Sequence, residues 1–316
     1  MTLRRLGNTD LDVHPLCLGG NVWGWTAGRD PSFAVLDAYF DSGGNFVDTA
    51  DNYSAWIDGN RGGESETLLG EWLARRGNRD KVVVATKVGS GAEDLEAGLR
   101  REQVLTGCDA SLRRLGIERI DLYYAHRDDS ETPLEETLGA FDELVRAGKV
   151  RHIAASNYSA PRLREALETS SRLGLASYAA LQPKLNLVDR DDFDPELRQL
   201  CAEEDLGVAV YAALAAGFLT GKYRPGRPVP EGGRSERVRS AYLSDPRALA
   251  ILAAADRVAE RRGVTVAQVA LAWVVAQPLV TSAIASATSP QQLTELMGGV
   301  ELELDEDDLA ELERAG

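Results

Sequence analysis

Short apolar runs alternate along this chain with longer stretches in which apolar residues return every three or four positions. The runs cover residues 16–19, 45–48, 82–86, 120–124, 153–156, 179–182, 208–211 and 280–285. Runs this short and this uniformly apolar predict strands covered on both faces, as in a parallel sheet. The intervening stretches predict helices over 33–41, 65–76, 101–115, 134–147, 160–172, 195–204 and 248–262. In the third of these, Val104, Cys108, Leu112 and Leu115 fall on one stripe, the spacing of an amphipathic helix. Gly116 follows as a residue able to close the helix in the left-handed region. Ser159 stands where the fifth helix needs a cap for its first free N–H groups.

Eight strands alternating with helices predict an α/β fold, a (β/α)8 TIM barrel. A doubly wound sheet is the rival, but it carries a G-x-G-x-x-G loop after its first strand. Here that place reads Gly19-Gly20-Asn21-Val22-Trp23-Gly24, and Gly89-Ser90-Gly91 is too short to serve. Residues 3–13, with Gly7-Asn8 at the turn, predict an N-terminal β-hairpin plugging the barrel's bottom. Residues 223–240, rich in Pro, Gly and Arg, predict a long mobile loop above the mouth. Extra C-terminal helices are expected at 265–277 and, acidic and packed outside, at 304–314. No linker or repeat interrupts the pattern, so residues 1–316 read as one domain.

Composition narrows the function classes. The chain has 35 Lys+Arg against 50 Asp+Glu, a formal net charge of −15. That sign opposes binding to nucleic-acid phosphates or anionic lipid. No apolar run approaches the ~20 residues of a membrane helix, and no signal peptide is visible after Met1. Three widely spaced cysteines, Cys17, Cys108 and Cys201, argue for a reducing compartment, the cytoplasm. Histidines number three (14, 126, 152) and lysines five (81, 87, 149, 184, 222). Each can therefore be weighed as a catalyst in turn.

Chemistry in such barrels sits where the strands end. The second strand ends in Asp48 with Tyr53 shortly after, the third at Thr86-Lys87, the fourth at Tyr124-Ala125-His126. Taken singly, each has an ordinary reading: Lys87 a paired strand-end lysine, His126 a loop histidine, Tyr53 a rim aromatic. Together they make an acid–base apparatus. Lys87 would favour the Tyr53 phenolate and pull the phenol from its reference value of ~10 towards neutrality. Asp48 would pair with the buried ammonium. His126 would orient a carbonyl oxygen, and Tyr53 would protonate it as hydride arrives at carbon. His14 and His152 fall at the opposite end and read as structural.

The order and spacing of several stretches then resemble the aldo-keto reductase family along essentially the whole chain. They are Gly43-Gly44-Asn45-Phe46-Val47-Asp48-Thr49-Ala50 continuing to Tyr53, Gly63-Glu64-Ser65-Glu66, Thr86-Lys87, and Asp121-Leu122-Tyr123-Tyr124-Ala125-His126. Ser156-Asn157, Gln182, Tyr211, Gly217-Phe218-Leu219-Thr220-Gly221-Lys222-Tyr223 and Ala287-Thr288-Ser289-Pro290-Gln291-Gln292-Leu293 complete the set. The resemblance implies the tetrad Asp48, Tyr53, Lys87 and His126, no metal, and NADPH extended across the barrel mouth. By the same resemblance Ser156, Asn157 and Gln182 hold the nicotinamide carboxamide and Tyr211 stacks on its ring. Lys222 and Arg234 meet phosphates, and Gly20, Asn21, Leu214, Gly217, Ser286, Thr288 and Gln292 line the remainder.

Two departures matter. Family members often carry Arg or Lys near position 288 and an Asn beyond position 292, where this chain has Thr288 and Leu296. NADPH remains the expected cofactor, with NADH possible. Ala212-Ala213 precedes Leu214 where relatives show Ser-Pro, which removes one hydroxyl. For the substrate, Trp23, Trp25 and Trp56 are candidates to wall an apolar pocket for a small-molecule carbonyl. Tyr124 and Arg127 flank His126, and the Gly-rich stretch 56–63 is placed to close over a ligand. Two other readings stay in view: a nicotinamide-binding, redox-sensing regulatory subunit with little turnover, and a Schiff-base aldolase using Lys87.

Overall fold

The computed structural model describes residues 2–91, 96–228 and 235–316. A short antiparallel hairpin, β1 (Arg4–Arg5) and β2 (Asp12–Val13), precedes the barrel. The barrel strands are β3 (Leu16–Gly19), β4 (Phe46–Asp48), β5 (Val83–Val88), β6 (Ile120–Ala125), β7 (Val150–Ser156), β8 (Tyr178–Gln182), β9 (Gly207–Val210) and β10 (Val280–Ala285). All eight pair in parallel, in chain order, and β10 closes against β3. The doubly wound alternative is thereby excluded.

Between and after the strands come α1 (Arg29–Asp41), α2 (Glu64–Arg76), α3 (Arg101–Leu115), α4 (Leu134–Arg146), α5 (Ala160–Leu173) and α6 (Pro195–Glu203). Then follow α7 (Ser235–Val238), α8 (Pro246–Arg262), α9 (Val266–Ala276), α10 (Pro290–Glu301) and α11 (Glu306–Ala315). Two apolar layers result. The inner one fills the barrel with Cys17, Phe46, Ala85, Leu122, Tyr124, Ala154, Ala180, Ala209 and Ile284. Leu6, Leu11 and Val13 of the hairpin seal it from below. Strand alternation sends the other set outwards against the helices.

Most expected elements lie within a few residues of their predicted ends, and the differences have local causes. β7 begins at Val150 because Val150 and His152 pair with Ile120 and Leu122. β9 stops at Val210 because the chain turns at Ala212, where φ is 57°. Helix α10 was not foreseen. Its Gly298-Gly299 pair weakens helix propensity, yet a Cβ on Gly299 would stand 3.0 Å from the Gln268 backbone. Close packing of α10 on α9 needs that glycine. The stretch 223–240 is not a plain loop throughout: Tyr223 is buried and α7 begins at Ser235. At the bottom, buried His14 accepts from the Leu16 N–H (3.0 Å), and His152 meets Asp10 (2.7 Å). Helix α11 is capped by Asp305 and pinned by buried Asp308 to Arg261 and Arg262 of α8.

Candidate active site

The residues after β4 are fastened to β5 through the backbone. Thr49 N–H donates to Ala85 O (2.9 Å), and Asp51 N–H donates to Lys87 O (3.2 Å). This sets Asp48, at the end of β4, beside Lys87 on β5, and brings Tyr53 over both. Lys87 Nζ makes three hydrogen bonds, to Asp48 Oδ2 (2.6 Å), Thr49 O (2.7 Å) and Tyr53 Oη (2.9 Å). Its side chain is fully buried and that of Asp48 nearly so. A buried ammonium is tolerated when all three donors are used and a carboxylate faces it. The Tyr53 hydroxyl donates to Asp48 Oδ2 over 3.3 Å, long for an O–H···O bond. Its proton is thus weakly engaged within the protein and free to pass to a better acceptor.

His126 completes the group. Its N–H donates to Val88 O (2.8 Å), its own carbonyl accepts from Asn157 Nδ2 (2.9 Å), and its ring sits edge-on to Tyr53 at 6.1 Å. Burial first, and then the charges of Lys87 and Arg127, push its basicity well below the usual imidazole value. The ring is neutral at pH 7 and able to donate one N–H.

The Tyr53 phenol departs from the expectation of a value near neutrality. Lys87 does not bring the phenol towards neutrality. Burial, and then the Asp48 carboxylate, hold it well above its ordinary value. The Asp48 carboxylate lies against both groups, and its negative charge offsets the Lys87 ammonium at the resting phenol. Tyr53 therefore rests with its proton on, and Lys87 at 2.9 Å acts when that proton leaves.

A second constellation lies on the mouth above β7 to β10 and β3. Ser156 Oγ donates to Gln182 O (2.9 Å), Asn157 Nδ2 to Ser156 Oγ (3.1 Å), and Tyr211 Oη to Asn157 Oδ1 (2.8 Å). Asn157 itself takes a positive φ of 58°. Beyond Tyr211, Ala212, Ala215 and Ala216 also lie in the left-handed region, a local strain of ~1–3 kcal/mol each. Half-buried Leu214 packs on the core in this loop. The exposed Lys222 ammonium lies beside Gly217, 3.8 Å from where a Cβ would stand. Across the mouth, Ser286 Oγ donates to Asn21 Oδ1 (2.7 Å). Thr288 gives both its N–H (2.9 Å) and its hydroxyl (3.1 Å) to Gln292 Oε1.

A sequence model of the Aldo/keto reductase family matches residues 15–316. The chain belongs to that family. It is 34% identical over 293 residues to the aldo-keto reductase str7 of Strobilurus tenacellus, spanning 91% of this chain and 82% of that one. It is 33% identical over 312 residues to the uncharacterized oxidoreductase YrpG of Bacillus subtilis, spanning 96% and 92%. The putative voltage-gated potassium channel subunit beta of Schizosaccharomyces pombe is 34% identical over 310 residues, 94% and 88%. Membership carries the general oxidoreductase class. No helix among the described residues is long and apolar enough to cross a membrane, and no group of acidic, His and Cys side chains among them could hold a metal.

In this aldo/keto reductase several expected contacts are placed differently. Gln182 is buried and donates Nε2 to Asp48 Oδ1 (2.9 Å), and Ser156, equally buried, donates to the Gln182 carbonyl. Trp23 has no exposed surface, because its ring packs where a Cβ on Gly20 would stand, 2.7 Å away. Tyr124 points into the barrel's inner layer and is likewise fully buried. Neither can wall a pocket. Trp56, half exposed, is edge-on to both Trp25 (5.7 Å) and Tyr53 (6.2 Å). Arg234 lies outside the described residues.

One buried acid escaped the sequence reading. Asp51 is 2% exposed, and neither carboxyl oxygen has a hydrogen-bond partner among the described residues. Glu66, equally buried, stands nearby and bonds Thr86 Oγ1 (2.6 Å) and Arg114 Nε (2.6 Å). Burial, and then Glu66, raise the Asp51 carboxyl from 3.8 to about 7. The folded state keeps this proton up to about pH 7, whereas the unfolded chain releases it from about pH 4. Folding is therefore penalised progressively as pH rises across that window. Asp51→Asn is expected to leave stability nearly unchanged at pH 4 and to raise it by about 4 kcal/mol at pH 8. Urea unfolding at the two pH values measures this. An equal gain at both would show that Asp51 is ionised throughout.

Proposed function

We propose that the protein is an NADPH-dependent oxidoreductase, with NADH as a possible second cofactor, that reduces aldehydes or ketones to alcohols. The observation that carries this reading is Lys87 Nζ held at once by Asp48, Thr49 O and Tyr53 Oη. The donor set at the mouth suits a nicotinamide nucleotide: amide and hydroxyl groups of Asn157 and Ser156 for a carboxamide, the Tyr211 ring for a flat heterocycle, and the Lys222 ammonium for phosphate. Ser286, Asn21, Thr288 and Gln292 add only neutral hydrogen bonds, and on that ground NADH is kept. A reduced nicotinamide, when bound, would supply the hydride.

The chain's own groups handle the oxygen. His126, neutral, donates a hydrogen bond to the carbonyl oxygen and orients it. Tyr53 gives that oxygen its proton as the carbonyl carbon is reduced, forming the alcohol. Lys87 stabilises the phenolate left behind, Asp48 keeps Lys87 charged, and solvent returns the proton to Tyr53. Gln182, through Asp48, keeps the pair in register. Alcohol oxidation runs through the same groups in reverse. Three buried free cysteines suit work in the reducing cytoplasm, with residues 1–316 acting as one domain.

A screen of aldehydes and ketones, followed at the reduced-nicotinamide absorbance with NADPH and NADH in parallel, tests the reading. Turnover with some carbonyls, faster with NADPH, is the expected result. The potassium channel subunit beta among the relatives supports a second reading, a redox-sensing regulatory subunit. Tight NADPH binding, seen as quenched tryptophan fluorescence, with no turnover across the panel would favour it. Borohydride trapping of a carbonyl on Lys87 would instead favour an aldolase.

A further inference from the structure

Arg127 follows His126 directly and is exposed at the mouth. Its Nε donates to Ser90 Oγ (3.1 Å), and it forms no ion pair among the described residues. The adjacent acids are engaged elsewhere. Asp128 holds Arg162 (2.9 Å), while Asp129 accepts from Leu99 N–H (2.8 Å) and Thr132 Oγ1 (2.6 Å). Many other arginines face carboxylates, as Arg101 does Glu143 and Arg224 does Asp256. After burial and Lys87, the positive charge of Arg127 also opposes protonation of His126. Next to Ser90, Gly91 lines a cleft of about 720 Å³ with Trp56, Ile57, Asp58, Asn60 and Arg61, in which the two opposite charges balance. Trp56 of that cleft stands edge-on to Tyr53 at 6.2 Å, and Arg127, next to His126, is tied to Ser90 beside Gly91 at the cleft's border.

On a body of net charge −15, an anionic substrate needs such a local cation. We infer that Arg127, held by Ser90, is a specificity-determining residue that receives a substrate carboxylate. The preferred substrates are then aldehydes or ketones that also carry an anionic group. This rests on the carbonyl-reductase reading above. With Nε taken by Ser90, the planar guanidinium keeps its terminal N–H groups for a carboxylate, which it can meet with two parallel hydrogen bonds.

The test compares 4-carboxybenzaldehyde with its neutral methyl ester, at saturating NADPH, for the full chain, Arg127→Gln, Arg127→Lys and Ser90→Ala. In the unmodified protein kcat/KM is expected to favour the carboxylate. In Arg127→Gln the ratio between the two aldehydes falls about tenfold, mainly through KM. Arg127→Lys restores part of the ratio, Ser90→Ala lowers it less, and added salt lowers it in the unmodified protein. A ratio that Arg127→Gln leaves unchanged overturns the inference, also where that variant instead weakens NADP+ binding measured by fluorescence. Reduction of neither aldehyde, where other carbonyls of the screen turn over, overturns the inference alone, and no turnover across the whole screen with NADPH bound removes the reductase reading and this inference with it. Reduction of both at a ratio independent of Arg127 removes only the inference.

Discussion

Tyr53→Phe is expected to lower kcat by about 10³-fold or more while leaving NADP+ affinity within about twofold. The phenol oxygen is the atom that Lys87 Nζ approaches at 2.9 Å, and the ring itself contributes packing against Trp56 and His126. Phenylalanine keeps the ring and deletes only the proton donor. The loss should appear equally in kcat and kcat/KM, as for a group acting in the transition state. Single-turnover measurement with a carbonyl identified in the screen, alongside fluorescence titration with NADP+, separates the two effects. Turnover within tenfold of the unmodified protein would remove Tyr53 from the chemistry and leave Lys87 and His126 to be reconsidered.

Lys87→Met is expected to cost about 3–5 kcal/mol of stability as well as activity. The substitution conserves length and apolar volume but leaves Asp48, itself buried, without its cation. Among the described residues, only the Gln182 amide at 2.9 Å and the Tyr53 hydroxyl at 3.3 Å would then face that carboxylate. Adding Asp48→Asn removes the orphaned charge, so the double variant should regain more than half of the lost stability without regaining turnover. Urea midpoints at constant slope report the stability change. A single-variant cost below about 1 kcal/mol would show the pair to be solvated, contrary to its burial.

Periodicity made most of this fold legible. Buried parallel strands are short and apolar throughout, and helices covering them are amphipathic, so the eightfold alternation showed in the residues alone. The tetrad was legible for a related reason. Asp48, Lys87 and His126 terminate successive strands or follow them directly, and barrel topology sends successive strand ends to one face. Side-chain commitment was less legible. Strand alternation alone does not say that Tyr124 points inwards beneath the tetrad or that the Trp23 ring closes over Gly20. Helix α10 was hidden by Gly298-Gly299, because propensity registers a glycine's cost and not the close approach to α9 that requires it.

By itself, then, the chain's pattern determined the barrel, its direction, and which four side chains share its mouth, since these follow from strand order and spacing. Only the tertiary structure decided their protonation. Burial, and then the Asp48 carboxylate, leave Tyr53 holding its proton, and burial, with Glu66 packed near, raises the Asp51 carboxyl to about 7. Those outcomes depend on burial and on distances of a few ångströms between residues far apart in the chain, and electrostatic energy inside a protein turns on both.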